Sequence, residues 1–221
     1  MIRVIYEDNH LLVVEKPVNI LSQGDDTNDK DMVNLLKDYV KKKYNKPGNV
    51  YIGLIHRLDR PVGGVMVFAK TSKAASRLSE QVRNKTFNKT YLAIIHGNMK
   101  SGKDTLKDFL YKNKKTNMVT VVKKNHKDAK EAELDYKILN FKENLSLVQV
   151  NLKTGRSHQI RVQFSSRKHP LYGDQRYGKE INKVGQQIAL WSNKIELYHP
   201  TTKEKMEFTC NTPDKYPWNI F

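Results

Sequence analysis

Short apolar runs, several with every second position apolar, recur along the chain and predict β-strands. The first two cover residues 4–6 and 11–15, are joined at the polar "EDNH" and end before Pro17. A strand over residues 87–97 ends at Gly97, where the apolar run stops. Further strands are predicted at "GVMVFA", "NMVTVV", "AELDYKIL", "LSLVQVNL", "QQIALWSNKIEL" and "EKMEFTC".

Three segments have helical spacing instead. Residues 22–31 are polar and read as a loop, after which the side chain of Asp31 can cap a helix that ends at residues 45–49. The inner face of this helix is predicted to carry Val33, Leu36, Tyr39 and Val40. A second helix in "KTSKAASRLSEQVRN" places Ala75, Leu78 and Val82 on one face, and a third starts at Ser157, a favourable N-cap.

The order of these elements predicts the fold class. Strand runs outnumber helices, and several are neighbours with no crossover helix between them, which favours a largely antiparallel or mixed central sheet flanked by helices. We therefore expect an α+β fold. The length of 221 residues suits one catalytic domain over residues 1–221.

The charge balance points to a polyanionic partner. Lys and Arg number 40 against 23 Asp and Glu, a formal net charge of +17, so nucleic acid is the leading candidate. An anionic membrane surface competes, but no clear basic amphipathic helix is present. The start of the chain does not resemble a signal peptide, and no apolar run approaches the roughly 20 residues that cross a bilayer. We expect a soluble, cytoplasmic protein.

Metal chemistry has little support in the sequence. Cys210 is the only cysteine, so neither an intrachain disulfide nor a cysteine-based zinc cluster can form. The seven histidines lack the spacing of a metal site. No metal is expected.

The stretch "LIHRLDRPVGGVMVFAKT", residues 54–71, sets one carboxylate among cations in a very basic chain. Asp59 lies between Arg57 and Arg60, Pro61 stiffens the turn, and the glycine pair that follows permits close approach by a ligand or unusual dihedrals. From this segment alone, a turn-stabilising ion pair of Asp59 with Arg57 or Arg60 is the favoured interpretation.

Two other segments carry unusual polar residues. In "KTYLAIIHG", Tyr91 could stack on a base, although a core tyrosine is the more common case. In "TGRSHQIRVQ", Arg156 lies in a turn, and His158 and Arg161 are three apart on the predicted helix and share a face. Arg161 could project toward a carboxylate, whereas a lone histidine such as His158 is more often structural.

Together these segments resemble the RluA-type family of RNA pseudouridine synthases. "HLLVVEKPVNIL" is similar to the family's first motif, "HRLDRPVGGVMVFAK" to its catalytic motif, "KTYLAIIHG" to its tyrosine strand, and "TGRSHQIRVQ" with "HPLYGDQRYG" to its last. After "HRLD" the chain has Pro-Val-Gly-Gly where relatives more often have a Thr-Ser-Gly-like segment. The N-terminal S4 RNA-binding domain of many relatives is expected to be missing.

The resemblance implies an activity and roles for residues. Uridine in ribosomal or transfer RNA is isomerised to pseudouridine without metal or organic cofactor, by a protein that we expect to be a monomer. Asp59 is implied as nucleophile or general base. The other implied roles are Arg161 as the cation beside Asp59, Tyr91 as the stacking partner of the uracil, Arg57 as the group that fills the gap left by the flipped base, and Arg60, Lys89, Arg156 and His158 as RNA-binding residues.

Three alternatives remain open at this stage. A non-catalytic RNA-binding protein or RNA chaperone explains the charge but gives Asp59 no purpose. A ribosome-associated structural protein fits the charge equally well. A basic nuclease normally needs a carboxylate cluster for metal or paired histidines, and neither is evident.

Overall fold

The computed structural model describes residues 2–27 and 29–221, so the predicted loop at 22–31 is described except for Asn28. The chain divides into two compact units. Unit 1 comprises residues 2–89 with Ser192–Asn211, and unit 2 comprises Thr90–Trp191 with Thr212–Phe221. The expectation of a single catalytic domain stays a prediction.

The helices and strands are given in chain order. They are β1 (Arg3–Glu7), β2 (Leu11–Lys16), α1 (Met32–Lys43), β3 (Gly53–Leu54), β4 (Gly63–Ala69), α2 (Ser72–Arg83), β5 (Asn88–His96), β6 (Lys103–Lys112), β7 (Val119–Val122), β8 (Lys130–Lys142), β9 (Leu145–Leu152), α3 (Gln159–Ser165), β10 (Leu190–Tyr198) and β11 (Lys205–Thr209).

Unit 1 is built around β4, whose seven residues are all buried. The strands lie in the order β1, β2, β4, β10, with β3 also paired to β4 and β11 to β10. β2 and β4 are antiparallel, and their register places Lys16 opposite Gly64, at the end of β4 that follows the Asp59 loop. The sheet therefore brings the end of the first motif beside the start of the strand behind Asp59.

Local capping signals set both helices of unit 1. The Asp31 side chain accepts a hydrogen bond from the Asn34 N–H at 3.1 Å, as predicted. Thr71 caps α2 in the same way through the Ala74 N–H, at 3.1 Å. Of the predicted inner faces, Leu36, Val40 and Leu78 are buried as expected. The other buried positions are Met32 in α1 and Ala74 in α2, whereas the predicted Val33, Tyr39, Ala75 and Val82 are half-buried. Apolar residues on both sides of each stripe make its centre ambiguous from spacing alone.

Unit 2 has antiparallel strands in the order β5, β9, β8, β6, β7, with β7 at the edge of this series. α3 packs on this sheet through Val162, which joins Leu110, Val119 and Ala132 in one apolar cluster, with Tyr177 packed against it. These hairpins confirm the predicted α+β class with a largely antiparallel sheet.

The backbone conformation and the close packing at position 64 both require glycine. Its φ is +116°, and a Cβ atom there would lie 2.2 Å from the Ser192 carbonyl oxygen of β10. The close approach predicted for the glycine pair is thus made by a neighbouring strand of unit 1. Gly63 is not among the glycines with positive φ, so the constraint on φ applies to the second glycine of the pair.

Gly64→Ala should destabilise the protein by about 2–4 kcal/mol, because it adds a backbone clash to an unfavourable φ. Gly48→Ala is the control, since a Cβ at Gly48 meets nothing within 4 Å and should change stability by less than about 0.5 kcal/mol. Urea unfolding of both variants measures the difference. Equal stabilities of the two variants would contradict this explanation of Gly64.

Candidate active site

Asp59 lies on a tight turn between β3 and β4 of unit 1. The Val62 N–H donates to the Asp59 carbonyl oxygen at 2.9 Å and closes the turn. Leu58 is buried, Asp59 is half-buried and Arg60 is exposed. The loop is therefore anchored on its apolar side, and the carboxylate-bearing residue keeps contact with solvent.

Lys16 stabilises this turn through hydrogen bonds to its backbone. Lys16 was not identified as a site residue from the sequence. It is completely buried, and its Nζ donates to the carbonyl oxygens of Pro17 at 3.0 Å, Arg60 at 3.0 Å and Val62 at 2.7 Å. Three carbonyls match the three N–H donors of an ammonium group. The signal that could have identified Lys16 is its position between the strand-like segment "LLVVE" and Pro17.

Charge links Lys16 to Asp59. Burial lowers the pKa of Lys16 to about 7, the negative charge of Asp59 acts in the opposite direction, and the positive charge of Arg60 lowers it further. The attraction between the two charges makes Lys16 a candidate counter-ion for Asp59 from within the same unit. It thus supplements Arg161, the cation implied by the motif resemblance.

The lowered pKa of Lys16 predicts a pH dependence of stability. Between pH 7 and the usual lysine pKa of 10.5, the folded state loses the Lys16 proton while the unfolded state keeps it. Unfolding then takes up a proton, so stability rises with pH across this window. We expect the free energy of unfolding of wild type minus that of Lys16→Met to be constant below pH 7 and to increase above it.

Urea unfolding of wild type and Lys16→Met at each pH gives this difference, in which the other titrating groups largely cancel. Lys37→Met, at a half-buried lysine of α1, is the matched control for the loss of a lysine side chain. A flat or falling difference for Lys16→Met would show that Lys16 is not buried as described.

His56 and Ser22 support the turn structurally. His56 is buried, its Nε2 accepts from the Val67 N–H at 3.1 Å, and burial followed by the charge of Lys89 lowers its pKa to about 3. The histidine of "HRLD" is therefore neutral and structural. The Ser22 hydroxyl accepts from the Leu58 N–H at 3.0 Å and donates to the Leu58 carbonyl at 2.8 Å, which fixes the backbone next to Asp59.

The cations predicted near Asp59 lie in different surroundings. Arg57 is exposed. Arg60 forms a solvent-exposed ion pair with Asp29 at 2.7 Å, which is too exposed to contribute much stability. Lys89, at the end of the first segment of unit 1, is half-buried, and burial lowers its pKa.

Tyr91 is the first of the predicted site residues in unit 2. It is the fourth residue of β5, is 6% exposed, and pairs with Val150 of β9. Ala93 and Ile95, which share its strand face, are fully buried. The pairing of β5 with β9 therefore holds the backbone of the tyrosine in place.

Arg161 makes a buried bidentate ion pair with Asp174. Its Nε and Nη2 donate to the two carboxylate oxygens at 2.8 Å each, and the side chains are 7% and 0% exposed. The guanidinium carbon lies 5.2 Å from the centre of the Tyr177 ring. Asp174 and Tyr177 come from "HPLYGDQRYG", so the last two motif segments form one cluster, which sequence reasoning did not identify.

His158 does not lie in the helix as predicted. α3 begins at Gln159, and His158 precedes it in the left-handed region at φ 51° with no side-chain cap, so Ser157 is not the N-cap. The Gln159 side chain instead accepts from the Arg156 N–H at 3.0 Å and stabilises the turn. Arg156 is exposed, and its Nε donates to the Glu131 carbonyl at 2.8 Å.

His158 and Arg161 still meet at a shared residue. His158 Nδ1 lies 2.7 Å from the Tyr177 hydroxyl, whose ring Arg161 covers. The prediction that the two side chains share a helix face is therefore wrong, and they are connected through Tyr177 instead.

Metal-binding groups and membrane-spanning helices are both absent from the described residues, 2–27 and 29–221. No group of three or more His, Cys, Asp or Glu side chains there is arranged to hold a metal ion. No helix there combines the length and apolar character that crossing a membrane requires.

The motif resemblance implies an α+β fold with one catalytic acidic residue. Asp59, on its anchored and partly accessible turn, matches this arrangement. The family model described as RNA pseudouridylate synthase matches residues 10–166. The chain therefore belongs to this family, and the resemblance given by its motifs is confirmed.

Two relatives show how far the similarity extends. The "Uncharacterized RNA pseudouridine synthase YhcT" of Bacillus subtilis is 33% identical over 204 residues, which cover 91% of this chain and 65% of the relative. The "Ribosomal large subunit pseudouridine synthase D" of Yersinia pestis is 31% identical over 226 residues, covering 96% of this chain and 67% of the relative. The chain thus spans about two thirds of the length of these proteins.

A solved structure agrees on the fold. "Human RNA Pseudouridylate Synthase Domain Containing 4" superposes with a TM-score of 0.80 at 20% identity, over 96% of this chain and 88% of that one. At this identity the comparison concerns the fold alone.

Proposed function

We propose that this protein isomerises specific uridines in ribosomal or transfer RNA to pseudouridine. The observation that carries the proposal is the Asp59 turn: one half-buried acidic residue on a backbone held by the buried ammonium of Lys16. A turn fixed in this way keeps a reactive group in place without reorganisation during the reaction. Membership of the RNA pseudouridylate synthase family supports the same assignment.

The proposed reaction is an isomerisation, so nothing is added overall. The C1'–N1 glycosidic bond of the uridine breaks, the uracil turns while bound, and a C1'–C5 bond forms. The hydrogen on C5 is lost as a proton, and N1 ends protonated. Asp59 acts on the ribose or on the base, as nucleophile or as general base. No metal or organic cofactor takes part in this scheme.

The remaining residues receive the roles that the motif resemblance implies. Tyr91, fixed in β5, stacks on the target uracil, and Arg161 supplies positive charge for the ionised Asp59. Arg57 is exposed and long enough to replace a flipped base in the RNA stack. The RNA backbone is contacted by Arg60, Lys89, Arg156 and His158.

Relatives support RNA as the substrate class. The relative from Yersinia pestis, named as a synthase of the ribosomal large subunit, favours ribosomal RNA for this chain as well. A monomer that works in the cytoplasm, where ribosomal and transfer RNA are used, completes the proposal.

Tritium release tests the activity. Purified wild-type protein is incubated with total RNA carrying [5-³H]uridine, prepared from cells that lack this gene, in parallel reactions with and without EDTA. Release of tritium to water is expected, because the C5 hydrogen leaves when the C1'–C5 bond forms. RNA binding without release would replace the proposal by a binding protein, and RNA fragmentation that EDTA abolishes would replace it by a nuclease.

A further inference from the structure

One end of the sheet of unit 2 carries a concentration of positive charge that the catalytic roles above do not use. Residues 112–130, here called the basic arm, contain seven lysines and one acidic residue, against 40 basic and 23 acidic residues in the whole chain. The arm comprises the β6–β7 turn, β7 and the loop that leads into β8. Its lysines are Lys112, Lys114, Lys115, Lys123, Lys124, Lys127 and Lys130, and all are exposed.

Some lysines elsewhere in the molecule have local ion pairs. Lys70 pairs with Glu7 at 2.8 Å, and Lys153 pairs with Asp135 at 3.0 Å, so the charges of these two lysines are balanced locally. In the part of the chain that the structure describes, no ion pair joins any of the seven arm lysines to a carboxylate. Their mutual repulsion is relieved only by counter-ions or by a polyanion.

The arm is ordered by its own contacts. The β6–β7 register places Lys112 opposite Val119 and Leu110 opposite Val121. The ring of His126 lies 4.6 Å from that of Tyr111, which holds the loop before β8 against β6. The lysines therefore lie on a folded surface, and binding a ligand costs them less conformational entropy than it costs a flexible tail.

Asn117 and Val119, here called the base of the arm, contact the last motif segment, "HPLYGDQRYG", of the same unit. The Arg176 guanidinium donates to the Asn117 carbonyl at 2.9 Å, and the Tyr177 hydroxyl accepts from the Val119 N–H at 3.0 Å. The same hydroxyl lies 2.7 Å from His158, a proposed RNA-binding residue. A nucleic-acid strand that reaches His158 is thus close to the base of the arm.

We infer that the basic arm is an RNA-binding element that holds the phosphate backbone of an RNA strand that reaches His158. This inference rests on the proposed function for the identity of the polyanion. Lysines provide charge without base readout, so the arm adds affinity and orientation, and sequence selection comes from elsewhere.

The test compares two charge-matched quadruple variants. The arm variant replaces Lys114, Lys115, Lys123 and Lys124 by glutamine. The control replaces four exposed lysines of unit 1 by glutamine: Lys41, Lys42, Lys46 and Lys73. Both lose the same net charge at exposed positions, and thermal unfolding followed by circular dichroism verifies that each is folded.

Binding of a fluorescein-labelled single-stranded oligouridine RNA is then measured at several salt concentrations between about 50 and 200 mM. The arm variant should bind at least about tenfold more weakly, and its dependence of log K on log salt should be less steep by about 3, since each lost phosphate contact removes about 0.7. The control should change this slope by less than about 1. Equal changes in both variants would overturn the inference.

Tritium release by the same proteins separates this inference from the proposed function. If wild type releases tritium and the arm variant shows a raised KM relative to the control, both hold. If wild type releases tritium and the arm and control variants have identical KM values, the inference about the arm is refuted and the proposed synthase activity stands. Absence of release by wild type, together with a selective binding loss in the arm variant, would refute the synthase activity and leave the arm as an RNA-binding surface.

Discussion

Asp59→Asn will lower tritium release from [5-³H]uridine-labelled RNA by at least about 10²–10⁴-fold, because the amide can act neither as a general base nor as a nucleophile. The substitution keeps the size of the side chain, and the turn beneath it is held by backbone carbonyls that Lys16 contacts. RNA affinity should therefore change little. The measurement is initial-rate tritium release, paired with fluorescence anisotropy of labelled RNA.

Asp26→Asn is the matched control, since Asp26 is an exposed aspartate in the loop at 22–31 of the same unit. It should release tritium at the wild-type rate. Full activity of Asp59→Asn would remove Asp59 from the chemistry even if the protein is a synthase. Loss of both activity and RNA binding would indicate that Asp59 acts through the structure of the loop.

Asp174→Asn will have the largest effect on stability. The substitution leaves the buried Arg161 guanidinium without the carboxylate that it contacts at two points, at 2.8 Å each. Removing one partner of a buried ion pair costs about 3–5 kcal/mol. For a chain of this length the midpoint of thermal unfolding should fall by about 6–20 °C.

The same substitution in an exposed pair provides the comparison. Asp29 pairs with Arg60 at 2.7 Å, with side chains 44% and 48% exposed, so Asp29→Asn should cost less than about 1 kcal/mol. Differential scanning calorimetry of both variants measures the contrast. Similar midpoints for Asp174→Asn and Asp29→Asn would mean that the Arg161–Asp174 pair does not stabilise the fold as its burial implies.

The two sets of site residues differ in how the protein holds them. In unit 1 a lysine and a serine form hydrogen bonds with backbone atoms around Asp59, so these contacts do not depend on the side chain of an exposed residue such as Arg60. In unit 2 Asp174 pairs with the Arg161 side chain and also accepts from the backbone N–H groups of Arg176 and Tyr177. Changes at Lys16 should therefore alter the Asp59 turn, and changes at Asp174 should alter both the Arg161 side chain and the backbone that follows Asp174.

Local sequence signals determined much of this protein. Asp31 and Thr71 cap their helices because a cap acts within three residues, and the end of β5 at Gly97 follows from a glycine with φ +75°. Asp59 was identified as the candidate catalytic residue from its motif and the order of the other motifs. The α+β class followed from runs of strands without crossover helices.

Only the tertiary structure decided which distant groups meet. Lys16 reaches carbonyls 44 and 46 residues away, Arg161 finds Asp174, and Gly64 lies against Ser192. Capping and alternation are set by neighbours in sequence, whereas burial, charge pairing and close backbone approach depend on how strands are ordered in a sheet. The sequence alone therefore identified the candidate catalytic residue, and packing determined how it is held.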